Sequence, residues 1–227
     1  MTSLPWLAYV PYCIADDILH AGGDPLAHEQ RMGAVAMFAD VSGFTAISEA
    51  LAEAGRAGTE ELTRILNDYF ETMIALVRDY GGIVGQFGGD ALTVLFPYTP
   101  ETHAVTVRRA ICCALEMQNA MDRYTSIQTQ VGAYRLSFKA GLADGYMICT
   151  TVGDLEVGLK SVVAGSAMNL CADAEHAAGR GEVVIHHNML PLAGAIETEQ
   201  KAGTFSRVMG INETVSRAPL SPLEREL

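Results

Sequence analysis

Residues 34–45 read AVAMFADVSGFT. Six apolar residues, Ala34 to Ala39, run without interruption into Asp40, Ser42 and Gly43, as in a buried central strand that ends in a loop. A short helix is expected next, near Phe44 to Glu53. Thr59 then suits an N-cap, with Glu60 and Glu61 in the turn behind it. Leu62, Ile65, Leu66, Tyr69, Phe70, Met73, Ile74 and Val77 follow at three-and-four spacing, an apolar stripe that must face a sheet. Between these two helices, Glu53, Gly55, Arg56 and Gly58 read as a loop. Gly81 and Gly82 stop the second helix. Ile83–Phe87 and Ala91–Phe96 are then two strands around Gly88, Gly89 and Asp90, a hairpin with a carboxylate at its tip.

Further along, Thr99–Arg123 reads as a third helix. Tyr134–Leu142, Tyr146–Val152 and Leu159–Ala164 read as strands separated by glycine-bearing turns. Gly165–Ala178 is a fourth helix, Glu182–His186 another strand, and Ala195–Glu199 with Phe205–Ile211 a final edge hairpin. Strand, helices, hairpin, helix, strands, helix and strand in that order predict an α+β fold with a mostly antiparallel sheet. One domain is expected at 31–213, with an N-terminal arm at 1–30 packing on it and a linker-like tail at 214–227, where Pro219 and Pro222 stand.

The chain has 227 residues, of which 49% are hydrophobic and 19% charged, which excludes a disordered protein. Fifteen basic residues face 27 acidic ones, a net charge of −12 that excludes nucleic acid as a partner. Only Lys139, Lys160 and Lys201 are lysines. An anionic substrate would therefore be held by metal ions, backbone amides or a partner chain. Cys13, Cys112, Cys113, Cys149 and Cys171 form no C-x-x-C pair and read as buried hydrophobes. No apolar run approaches the ~18 residues of a membrane span, and the apolar start carries no basic residue of a secretory signal. No membrane insertion and a cytoplasmic location are expected.

If the strand ending at Asp40 pairs with the hairpin, Asp40 and Asp90 share one sheet edge. Two such carboxylates can hold two magnesium ions, because Mg²⁺ takes hard oxygen ligands and commonly uses one or two protein carboxylates plus substrate phosphates. Val41, Ser42, Gly43, Phe44 and Thr45 form a tight loop whose amides lie at the positive end of the next helix, where phosphates bind well. Taken singly, Asp40 also reads as an N-cap and Asp90 as a turn residue.

Five stretches carry a resemblance to a known family: FADVSGFTAIS at 38–48, GGIVGQFGGDALTVLF at 81–96, LSFKAGLADGYMICTTVGD at 136–154, VVAGSAMNLCADAEHA at 162–177 and GEVVIHHNM at 181–189. Together they resemble the class III adenylyl and guanylyl cyclase catalytic domain, most of all the first catalytic domain of soluble adenylyl cyclase and its bacterial tandem-domain relatives. LAYVPYCIADDIL at 7–19 is similar to their N-terminal arm. The resemblance implies a ferredoxin-like βαββαβ sandwich. It also implies two domains paired head to tail around ATP, with two Mg²⁺ (or Mn²⁺) ions, producing cAMP and pyrophosphate. Asp40 and Asp90 then match the metal-binding aspartates, the Val41 carbonyl a backbone ligand, the Phe44 and Thr45 amides the phosphate loop, and Asn169 the ribose-orienting asparagine.

Three positions depart from the pattern. Gln86 stands for the base-reading lysine, Val162 for the acidic or threonine partner of adenine, and Asp173 for the transition-state arginine, a charge inversion where phosphate gathers negative charge. A homodimer is thus expected to be nearly inactive, and a second cyclase homology domain is expected to supply the missing groups. The alternative is a degenerate regulatory or dimerisation domain without turnover. The cations of a bicarbonate pocket are replaced as well, by Gln86 and by Cys171 or Ala172, so no bicarbonate activation through that pocket is expected.

Overall fold

The computed structural model describes residues 29–154, 156 and 158–219. The arm expected at 1–30 therefore lies almost wholly outside the described residues, as does the tail beyond 219. In chain order the elements are β1 (Glu29–Ser42), α1 (Phe44–Glu53), α2 (Gly55–Asp79), β2 (Ile83–Gly88), β3 (Ala91–Tyr98) and α3 (His103–Ala120). A 3-10 turn at Met121–Tyr124 leads to β4 (Ile127–Thr129) and β5 (Gly132–Tyr134), a small separate hairpin. Then follow β6 (Ser137–Asp154), β7 (Gly158–Gly165), α4 (Ser166–Ala177), β8 (Val183–His186), β9 (Ile196–Gln200) and β10 (Phe205–Ile211).

The main sheet runs β2-β3-β1-β6-β8-β10-β9, with β7 paired to β6 as well. Every pairing is antiparallel except β6 with β8. It is a mixed sheet with helices packed on it, largely antiparallel as the sequence suggests. The central pair is β1 with β6, joined from Glu29↔Thr150 to Ser42↔Ser137.

Alternation along β1 assigns the two faces. Val35, Met37, Ala39 and Val41 are buried in the large core beneath α2 and α3, with Tyr69, Met73, Val77, Ile111, Met117, Phe96 and Phe138. Ala34 and Ala36 point the other way, toward Ala167 and Cys171 of α4. Small residues on this second face let the helix lie close. The Phe38 amide donates to Cys171 Sγ at 3.0 Å, and that thiol donates to the Gly141 carbonyl at 3.1 Å. A Cβ at Gly141 would meet the Glu175 amide nitrogen at 2.1 Å.

Several element bounds differ from the sequence-based expectation. Three strands were expected where β6 runs unbroken for 18 residues and β7 follows, because Gly141 and Gly145 admit α4 and make no turn. Thr59 is not an N-cap: α2 begins at Gly55, and the Thr59 hydroxyl donates back to the Gly55 carbonyl at 3.2 Å inside the helix. The loop expected around Gly55, Arg56 and Gly58 is therefore helical. Gly58 is buried where a Cβ would strike the Leu51 carbonyl at 1.9 Å. The third helix is shorter than expected and closes in the 3-10 turn.

Within the stretch expected to be linker-like, Val215 packs on the large core and Arg109 Nε donates to the Ser216 carbonyl at 2.9 Å. Arg217 bridges Asp79 at 2.8 Å and Glu116 at 2.6 Å. These contacts hold the chain against α2 and α3 on the face away from α4.

Candidate functional site

The β1–β3 register pairs Ala39 with Leu92, so Asp40 and Asp90 emerge together at the end of that ladder. Asp90 sits in a two-residue turn, with Gly88 paired to Ala91 on either side of Gly89 and Asp90. The two carboxylates are close enough to feel one another. Asp40 is held above the ordinary carboxylate range first by burial, with the negative charges of Asp90 and Glu175 adding to it. Lys139 and the Val41 amide pull in the opposite direction.

Asp40 lies on the α4 face of β1, directly across from Lys139 on β6. The Lys139 ammonium lies 3.8 Å from Asp40 Oδ2 and 2.6 Å from Glu175 Oε1, which α4 brings down onto the sheet. Two carboxylates, those of Asp40 and Glu175, thus share one ammonium. Beneath them, Tyr69 is buried and its hydroxyl has no hydrogen-bond partner. Burial, followed by the charges of Asp90 and Asp40, raises its phenol above the usual range.

Val41 and Ser42, expected in a loop, are the last two residues of β1, and Gly43 alone joins strand to helix. Gly43 has φ +101°, and a Cβ there would meet the Arg135 carbonyl at 2.4 Å, so only glycine makes this turn without strain. No side chain caps α1, and its first internal bond runs from the Ile47 amide to the Gly43 carbonyl. The Phe44 and Thr45 amides therefore open the helix with no intrahelical acceptor, beside Asp40.

The remaining sequence-predicted residues lie elsewhere. Gln86 is exposed on β2, just past a bulge that displaces Gly85. Asn169 is exposed in the first half of α4. Glu175 is the α4 residue that reaches the Asp40 row, and Asn169 is six residues back along the helix, roughly 9 Å of rise. Within one chain Asn169 does not join the aspartates. Asp173, one turn on, is exposed on the same helix.

Lys139 and Glu175 were not singled out from the sequence. The available signal was a lysine between Phe138 and Ala140 in a strand apolar enough to be buried, since such a charge needs a partner.

The donor set fits a hard divalent cation: carboxylate oxygens held near one another, an adjacent backbone carbonyl at Val41, and a net negative charge. Among the described residues no group of three or more His, Cys, Asp or Glu side chains could hold a metal ion. A cation held by two carboxylates would complete its shell with backbone, water and phosphate oxygens.

A family model described as the adenylate and guanylate cyclase catalytic domain matches residues 27–206. The chain belongs to this family. Adenylate cyclase type 10 of Oryctolagus cuniculus is 30% identical over 180 residues, covering 78% of this chain but 11% of that protein. An adenylate cyclase of Anabaena cylindrica is 32% identical over 143 residues, 61% of this chain and 26% of its own length. The chain thus spans only a small part of the relatives that this cyclase domain matches. Among solved structures, the guanylyl cyclase Cya2 superposes with a TM-score of 0.63 at 28% identity, over 83% of this chain and 98% of that one. A bacterial light-regulated adenylyl cyclase, at 18% identity and a TM-score of 0.68 over 92% of this chain, shares the fold. Among the described residues no helix is long and apolar enough to cross a membrane.

Proposed function

We propose that this cyclase domain is the metal- and phosphate-binding half of an adenylate cyclase site, which a second cyclase homology domain completes. The observation that carries the proposal is the convergence of Asp40, Asp90 and the uncapped start of α1 at one end of the sheet. Asp40, Asp90 and the Val41 carbonyl would hold two Mg²⁺ or Mn²⁺ ions. When bound, such ions polarise the attacking hydroxyl and neutralise charge on the phosphates.

The chain's own groups do the rest of this half's work. The Phe44 and Thr45 amides, with Ser42 and Gly43 shaping the turn, hold phosphate oxygens at the positive end of α1. That grip fixes the α-phosphate for in-line attack by the 3′-hydroxyl, with pyrophosphate leaving.

ATP is favoured over GTP because the sequence relatives named above are adenylate cyclases. Gln86, Val162, Asn169 and Asp173 belong to the complementary half and would face a nucleotide held by the partner's aspartates. That half lacks a base-reading cation and carries a negative charge at the arginine position, so two copies of this chain make a poor catalyst. A cytoplasmic setting accords with an ATP substrate.

The test is pyrophosphate release by this chain alone, and then mixed with a cyclase domain that carries the missing lysine and arginine. Background rates alone and turnover in the mixture are expected, with Asp90→Ala lowering the mixed rate at least 100-fold while circular dichroism stays unchanged. No turnover in the mixture would favour a degenerate regulatory domain, for which the replaced Gln86, Val162 and Asp173 already speak.

A further inference from the structure

We infer that Lys139 is a positioning residue that makes metal binding at Asp40 depend on nucleotide, by placing a fixed ammonium beside the carboxylate and anchoring it to Glu175. The inference rests on the metal-binding reading of Asp40. Its basis is the unequal sharing of one cation. Lys139 Nζ is within hydrogen-bonding distance of Glu175 Oε1 at 2.6 Å but only within Coulombic reach of Asp40 Oδ2 at 3.8 Å. The lysine and glutamate side chains are 23% and 13% exposed, so water screens the charges only partly.

Lys139 is held from several sides. It projects from the central strand β6, opposite Asp40 in register, and Glu175 is pressed onto the same face by the close approach of α4 at Gly141. The ammonium therefore cannot drift away when a second cation approaches. A divalent ion entering without nucleotide meets this charge beside its ligand. When the ion arrives with a triphosphate, the added negative charge offsets the ammonium, and the same lysine becomes favourable. Glu175 also keeps the ammonium from closing directly on Asp40, which would leave the carboxylate occupied. The two residues should thus act in opposite senses on metal affinity.

The experiment titrates Mn²⁺ into the whole chain and reads free Mn²⁺ by electron paramagnetic resonance, with and without a nonhydrolysable ATP analogue; no turnover is needed. Wild type is expected to bind Mn²⁺ far more tightly with the analogue. Without it, Lys139→Met should tighten Mn²⁺ binding about tenfold, Lys139→Arg should resemble wild type, and Glu175→Gln should weaken binding. Opposite shifts from the two ends of one ion pair are not what a merely structural bridge produces, since its loss would move both variants the same way. The gain of Lys139→Met should vanish when combined with Asp40→Asn. Lys139→Gln, which keeps a polar end, replaces the methionine variant if that one does not fold. Unchanged or weaker nucleotide-free binding in a folded Lys139 variant overturns the inference while leaving the metal site standing. Failure of wild type to bind Mn²⁺ even with the analogue overturns the metal site itself, and the inference with it.

Discussion

At Asp40 the fold holds a carboxylate under the combined influence of burial, Asp90 and Glu175, which Lys139 only partly offsets. Raising the carboxylate above its unfolded value of 3.8 means that folding favours the protonated form. Ionised Asp40 therefore lowers stability. The penalty builds as pH rises from 3.8 through the higher folded value and is complete above it, which includes neutral pH. Asp40→Asn should remove this penalty. At pH 7 without metal its melting temperature should rise, by roughly 2–4 °C for each ~1 kcal/mol relieved, and the difference from wild type should shrink as the pH falls toward 4. Thermal denaturation followed by circular dichroism at both pH values checks this; a variant less stable than wild type at pH 7 would show that Asp40 is a structural asset. The same variant should be inactive in the paired enzyme, as expected where a functional group is kept at a cost in stability. That this aspartate stands at the end of the β1–β3 ladder with Asp90 was legible from its place at the end of an apolar run. Its partners Lys139 and Glu175 were not, because their meeting depends on how α4 crosses β6, which no local pattern encodes.

Among the elements, the contact between α4 and β6 fixes the geometry of the site, and Gly141 is its tightest point. A methyl group there would lie 2.1 Å from the Glu175 nitrogen, whereas one at Gly145 would meet Ser166 Oγ at 3.2 Å, a contact that a small side-chain shift relieves. Gly141→Ala should cost about 1–3 kcal/mol through overpacking, and Gly145→Ala less, as urea denaturation of the two variants would measure. Equal losses would argue against α4 resting on Gly141. The same two residues explain why the sequence-based strand assignment was too short. Glycine in a strand pattern reads as a turn or as a close approach, and only the packed helix decides between them. Gly58 misled in the same way: it permits α1 and α2 to touch at Leu51 but reads as a break. By contrast, the β2–β3 hairpin and the start of α1 after Gly43 were legible, although β1 runs two residues further than expected, since each turn is set by a glycine whose φ the turn itself demands, Gly89 at +73° and Gly43 at +101°.

For the whole molecule, the proposed function turns on how the candidate groups divide between two regions of one chain. Asp40, Asp90 and the start of α1 gather at the end of the β1–β3 ladder, while Asn169 and Asp173 are exposed along α4 and cannot reach them. On the proposed reading, a complete site draws on two domains, each presenting one set to the other. If that division is correct, the deficiency of a homodimer is confined to Gln86, Val162 and Asp173, and restoring them should restore turnover without touching the metal half. The variant Gln86→Lys/Val162→Thr/Asp173→Arg, tested as the isolated chain, should release pyrophosphate from ATP at least about 100-fold faster than wild type, the scale on which one donor to a developing oxyanion acts. Adding Asp90→Ala to it should abolish the gain. Mixing that quadruple variant with wild type should then recover activity, because the intact aspartates of wild type and the repaired complementary half of the variant meet in one of the two sites of the mixed pair. A folded triple variant that stays at background, with no recovery when the quadruple variant is mixed with wild type, would mean that the two sets do not face one another across a shared interface.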